Sequence, residues 1–121
     1  MEDKNYLTLN NLQVYQLSRQ LSKQALPQNT IIFKLIEQII HSGTSMGSNY
    51  REANETETKK DFKYRIRICR QEGKETIYWL NLIIEANPDF KERIKPLLQE
   101  TTELVKIFCS NIRKIKIVFG F

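Results

Sequence analysis

The chain has 121 residues and a formal net charge of +5, with two cysteines, one histidine and three prolines. That length suits one domain with one sizeable core over residues 1–121. Cys69 and Cys109 lie far apart, with neither CxxC spacing nor a nearby histidine, which speaks against a disulfide framework or a thiolate metal site. No stretch is long and uncharged enough to span a bilayer, and Met1-Glu2-Asp3-Lys4 leads into no apolar signal segment. A cytoplasmic protein without membrane contact is expected.

Residues 1–9 read as a lead-in. Asn10 or Asn11 can cap a first helix over residues 12–26, because their side chains accept from exposed N–H groups. Val14, Leu17, Leu21 and Ala25 form its core stripe, and Pro27 ends it. A second helix is predicted over residues 31–54, where Ile32, Leu35, Ile36, Ile39, Gly43, Met46, Tyr50 and Ala53 share one face. Its middle, residues 42–49, is rich in small residues and alone would read as a loop. The apolar period runs through it in phase, so the helix is expected to continue. Glycines inside a helix cost about 1 kcal/mol each relative to alanine, and close approach of a neighbouring backbone is the expected reason for Gly43 and Gly47.

A third helix is predicted over residues 58–86, capped by Thr56 or Thr58. Phe62, Ile66, Cys69, Gly73 and Leu80 make its core stripe, with Cys69 as a small buried hydrophobe. A second stripe, Lys60, Lys63, Arg67, Arg70 and Lys74, repeats at helical spacing beside the first. Residues 59–74 hold seven Lys/Arg against Asp61 and Glu72, which equals the excess charge of the whole chain. Concentrated positive charge points to an anionic partner, nucleic acid or an acidic protein face; a solvated helix face fits the same spacing. Residues 77–84 are apolar nearly all round. That is more apolar surface than one bundle core covers, so Tyr78, Trp79, Leu82 and Ile83 are expected at a subunit interface. Stacking of Tyr78 and Trp79 on bases is the lesser alternative.

A fourth helix is predicted over residues 90–116, with Asp89 as its cap. Pro96 is tolerated in a first turn but not deeper, so either the helix begins near Lys95 or it kinks there. Ile94, Leu97, Leu98, Thr101, Leu104, Val105, Phe108, Ile112 and Ile115 form its core face. Residues 115–121 are β-branched and aromatic, and either fray or dock on the bundle. Four amphipathic helices with short connections predict an all-α, antiparallel up-down-up-down four-helix bundle. In that topology the basic stripe meets Lys106, Arg113, Lys114 and Lys116 at one end. The other end carries Glu85, Asp89, Glu92, Glu100 and Glu103.

No nucleophile with a nearby base stands out, and no GxxxxGK[ST], GxGxxG or HExxH occurs. His41 lies within the second helix, away from any partner in sequence. No enzyme activity, metal or cofactor is expected.

Residues 42–53 (SGTSMGSNYREA), 59–62 (KKDF) and 75–80 (ETIYWL) resemble a bacterial four-helix-bundle family named for reading frames in intervening sequences of 23S rRNA genes. The accessory variability protein of diversity-generating retroelements is also in that family. The likeness covers residues 9–115. Many members carry a proline and a final glycine in the first of these segments, where this chain has Met46-Gly47 and Ala53-Asn54, which puts it in another branch. The resemblance implies a homopentamer without enzyme activity; the best-understood branch binds nucleic acid and a reverse transcriptase through a basic surface. It also favours reading Ser45, Asn49 and Glu52, on a polar stripe with Ser42 assigned to the side opposite the core, as a close subunit contact rather than as solvated residues. The expected function is that of a non-enzymatic, basic, homo-oligomeric accessory protein. Its nucleic-acid-binding residues would be Lys60, Lys63, Arg67, Arg70, Lys74, Arg113, Lys114 and Lys116. It would assist a reverse transcriptase or be associated with an rRNA intervening sequence. The alternative is a homo-oligomeric scaffold for an acidic protein partner.

Overall fold

A computed structural model describes residues 30–119, with side chains over residues 31–114. The predicted helix at residues 12–26 lies outside the described residues. The rest is helical: α1 (Thr30–Asn54), α2 (Lys59–Ala86) and α3 (Lys91–Phe119), with one turn of 3-10 helix (Pro88–Phe90) before α3. Among the described residues there is no strand.

The small-residue run is helical, as its apolar phase requires, and its polar side chains explain how. The Thr44 hydroxyl donates to the Ile40 carbonyl at 2.6 Å, and the Asn49 amide donates to the Ser45 carbonyl at 2.9 Å. Groups that could pull the backbone into a turn are instead tied to the preceding turn of their own helix. Beyond Asn54, the Thr56 hydroxyl donates to the Ala53 carbonyl at 2.7 Å. Thr58 then caps α2: its backbone is extended, and its hydroxyl accepts from the Asp61 N–H at 3.1 Å. The Asp61 carboxylate in that first turn suits the positive end of the helix dipole.

α2 stops at Ala86, where the Asn87 N–H closes on the Ile83 carbonyl at 2.8 Å and Pro88 follows. Asp89, expected as a cap, lies inside the 3-10 turn. α3 starts at Lys91 and runs through Pro96, so it does not begin near Lys95. Pro96 leaves the Glu92 carbonyl without its helical donor, but both residues are exposed, so water can replace the bond.

α2 packs against both neighbours. Ser42 pairs with Thr76, Met46 with Cys69 and Asn49 with Arg65, so α1 and α2 run in opposite directions. Leu80 and Ile83 cluster with Ile94 and Leu97, whereas Ile66 and Cys69 cluster with Leu104, Phe108 and Ile112, so α2 and α3 are also antiparallel.

The core is in two parts. One is wholly aliphatic: Ile32, Leu35, Ile36, Ile39, Leu80, Ile83, Ile94 and Leu97. The other mixes shapes and atoms: Met46, Tyr50, Ala53, Ile66, Cys69, Leu104, Phe108 and Ile112, with the Tyr50 and Phe108 rings 6.0 Å apart. Each fully buried aliphatic side chain contributes about 1.5–3 kcal/mol relative to exposure. Between the two parts every helix turns small or hydroxylic: Ser42 on α1, Gly73 and Thr76 on α2, Thr101 on α3, all buried. A Cβ on Gly73 would lie 2.7 Å from Val105 Cγ2 and 3.2 Å from Met46 Sδ. That glycine lets side chains from both neighbouring helices close on α2.

Candidate nucleic-acid interface

The cations of α2 do not form one uniform row. Lys60, Arg67 and Lys74 are exposed, and Arg70 is half-buried. Lys63 is only 8 % exposed, which corrects its assignment to the outer face. It stands three residues before fully buried Ile66, at the border of the buried arc, where a four-carbon stem can lie along apolar surface. Lys59, next to the cap, adds an exposed cation. On α3, Arg113 and Lys114 are exposed; the side chain of Lys116 lies outside the described residues. Because the helices are antiparallel, the first turns of α2 and the last turns of α3 share one end of the molecule. Phe62 and Ile107 both pack on the mixed core there. Lys106 is tied to Glu103 at 3.5 Å on the surface.

Within the exposed cations stands Tyr64, 61 % exposed, four residues after Lys60 and three before Arg67. The Arg65 guanidinium carbon lies 5.8 Å from the centre of its ring. That guanidinium is anchored, because Arg65 Nη1 donates to Asn49 Oδ1 at 3.0 Å. Asn49 is held in turn by its own amide, which donates to the Ser45 carbonyl at 2.9 Å and to Ser45 Oγ at 3.1 Å. The sequence reading passed over Tyr64. The available signal was an aromatic residue amid a run of cations.

These contacts also correct the polar stripe of α1. Ser42 follows Ile39 by three and precedes Met46 by four, so it belongs on the core side and is buried. Ser45 and Asn49 are half-buried, and Asn49 bonds Arg65 on α2 of the same chain; Glu52 is exposed. Ser42 and Thr76 hydroxyls meet at 2.8 Å, and Thr76 gives its only proton to the Glu72 carbonyl at 2.8 Å, so Ser42 is the donor between them.

Glu72 lies on the flank of this seam. Burial raises its pKa above the ordinary value, and the neighbouring Glu75 carboxylate adds to the rise. A hydrogen bond from Ser45 and the charge of His41 oppose it. Its Oε2 is buried without a hydrogen-bond partner among the described residues.

Of the residues expected at a subunit interface, Tyr78 is 58 % exposed and Leu82 is also exposed. Trp79 is half-buried against the aliphatic core, edge-on to the Tyr78 ring with centroids 4.9 Å apart, and its indole N–H is buried without an acceptor among the described residues. Ile83 is 0 % exposed inside the chain's own aliphatic core, so it has no surface to offer a subunit. Periodicity explains the error: Ile83 follows Leu80 by three and joins its stripe. Cys69 donates from Sγ to the Met46 carbonyl at 3.5 Å, and burial pushes its pKa to about 12, which keeps the thiol neutral and unreactive. His41 is exposed, and among the described residues no group of three metal-binding side chains comes together.

The sequence profile of one family, described as 23S rRNA-intervening sequence protein, matches residues 10–110. The chain is also similar to a solved structure of a protein of unknown function from the S23 ribosomal protein family of Bacteroides thetaiotaomicron VPI-5482. The TM-score is 0.79 at 28 % identity, over 90 % of this chain and 96 % of that one. No curated protein matches.

Proposed function

Because the chain belongs to the 23S rRNA-intervening sequence protein family, we propose that it is a non-enzymatic accessory protein that binds the backbone of RNA or DNA through the exposed cations along the first half of α2 and near the end of α3. The observation that carries this is the grouping of Lys60, Arg67 and Lys74 on the outer side of α2, with Arg113 and Lys114 at the same end on α3. Arg70 stands half-buried beside them. Lys60, Arg67 and Lys74 stand seven residues apart and recur about every 10 Å along the helix axis, so each can meet a different phosphate of one strand. Each neutralised phosphate releases counterions, and affinity then falls steeply with salt. Lysines and arginines on a convex face reach phosphates rather than base edges, so sequence preference is weak.

In this reading the predicted helix at residues 12–26 completes an antiparallel four-helix bundle. The chain assembles with copies of itself in the cytoplasm, as a pentamer if it follows the resemblance, and a ring repeats the basic face and adds avidity. Exposed Tyr78 and Leu82, one turn apart on α2, support assembly, since an apolar patch left on a surface marks a contact. A reverse transcriptase or an rRNA intervening sequence supplies the setting.

The test is a titration of wild type and of a Lys60→Glu/Arg67→Glu/Lys74→Glu variant against RNA and duplex DNA at low and physiological salt. All three positions are solvent-exposed, so the variant is expected to fold. Wild type should bind with strong salt dependence, and the variant should lose most of that affinity. Equal binding by a folded variant removes this face as the site. Failure of wild type to bind either nucleic acid at low salt leaves the scaffold with an acidic protein partner. Light scattering at micromolar concentration checks assembly, and a monomer mass overturns it.

A further inference from the structure

We propose that Tyr64 is a stacking platform for an unpaired base, so that the nucleic acid taken by the basic face is single-stranded; this rests on the basic-face reading above. Three features carry it. First, the ring is open to solvent on a helix otherwise lined there by charges: it is 61 % exposed, although an apolar ring of that size gains by being covered. Second, cations outnumber the single acid around it: Lys60 lies one turn before it, Arg67 one turn after and the Arg65 guanidinium 5.8 Å from its centre, against Asp61 three residues before. Third, the frame is fixed from within the protein. Arg65 is held by Asn49, and Asn49 by Ser45, so a chain of hydrogen bonds runs from the α1–α2 seam out to the guanidinium beside the ring. An arginine committed in this way keeps its place beside the tyrosine, and less ordering is left to be lost on binding.

The chemistry selects the ligand. Tyr64 offers a flat, polarisable surface, which every unpaired base can cover and which a base already stacked in a duplex cannot. The two flanking cations, seven residues apart, are separated by about 10 Å along the helix axis. That span suits phosphates on either side of a stacked nucleotide. Cationic tracks with interleaved aromatic rings are how proteins hold single strands without reading their sequence. A face built for duplex alone would use the cations and leave the ring idle.

The experiment uses the full chain with a fluorescein-labelled oligouridylate of about 16 nucleotides and a duplex RNA of equal length. It compares wild type, Tyr64→Ala and Tyr64→Phe by anisotropy, with circular dichroism confirming the fold of each. Wild type should bind the single strand more tightly than the duplex. Tyr64→Ala should weaken single-strand binding by about tenfold and leave duplex binding unchanged, while Tyr64→Phe, which keeps the ring, should match wild type. If Tyr64→Ala binds the single strand as wild type does, or loses equally on both ligands, stacking is refuted while the basic face stands. If wild type binds neither ligand at low salt, the basic-face reading fails and this inference with it.

Discussion

The two ends of the bundle are built differently. At one, Ile and Leu side chains alone fill the core, and the surface above them shows Tyr78, Leu82, Ile31 and Ile40. At the other, sulfur, aromatic and aliphatic side chains fill the core, and the surface carries Lys60, Tyr64, Arg67, Arg113 and Lys114. The same helices supply both ends, so secondary structure does not distinguish them. What differs is the outer face of α2 on either side of Lys74. The lesson is that a helix can keep one inward stripe throughout its length while its outward face changes from mainly cationic to a mixture of Tyr78 and Leu82 with Glu75, Asn81 and Glu85, and with it the kind of partner that face can take.

The largest effect should come from the mixed core. Phe108→Ala removes a fully buried ring that packs against Tyr50, and is expected to cost about 3–5 kcal/mol. Trp79, the single tryptophan, lies at the aliphatic end and reports from the other side. In urea, its fluorescence and the far-ultraviolet circular dichroism should move to a lower midpoint together. If the tryptophan signal keeps the wild-type midpoint, the two ends unfold separately and the cores are independent units.

The junction between the ends comes next. Gly73→Ala places a methyl group against Val105 and Met46. Overpacking costs about 1–3 kcal/mol and the better helix propensity of alanine returns about 1, so a net loss of about 1 kcal/mol is expected in chemical denaturation. A more stable variant would show that Val105 can move aside and that the junction is loosely packed.

The smallest effect sharpens the comparison through pH. The folded-state pKa of Glu72 is raised above its ordinary 4.5. A raised carboxyl contributes stability that is fully present below the unfolded value and is lost as pH rises through the folded one. Wild type should therefore gain on Glu72→Gln as pH falls from neutrality towards 4.5, and melt below it at neutral pH. Parallel melting curves for the two proteins across that window would show that the flank of the seam is well hydrated.

Much of this was legible in the sequence, for identifiable reasons. The apolar period from Ile32 to Ala53 outweighed a loop-like composition, because burying a continuous stripe stabilises a helix by more than two glycines cost it. Thr56 and Thr58 both read as possible caps before a charged helix start, and Thr58 is the one that accepts from the helix. The candidate site was less legible. Lys63 and Ser42 each sit at the edge of the buried arc, where one residue type can lie on either side of the boundary and only the neighbouring helix decides. Ile83 looked available because its whole surroundings are apolar, and sequence does not show which apolar side chains the core has room for. Tyr64 has no helical-stripe partner of its own kind, so no periodic signal marks it.

The hydroxyl pair at the junction has a consequence for register. Two apolar helices slide past one another at little cost, since one isoleucine fits where another did. Ser42 and Thr76, buried and bonded at 2.8 Å, do not allow this. A slip of one turn, about 5.4 Å, would take the Ser42 hydroxyl away from Thr76, whose own proton stays on the Glu72 carbonyl. A buried hydroxyl that loses its partner costs about 1–3 kcal/mol, which favours one alignment of α1 on α2 over its neighbours a turn away. The bond that fixes this alignment also fixes Asn49 opposite Arg65, and so decides where the exposed tyrosine stands.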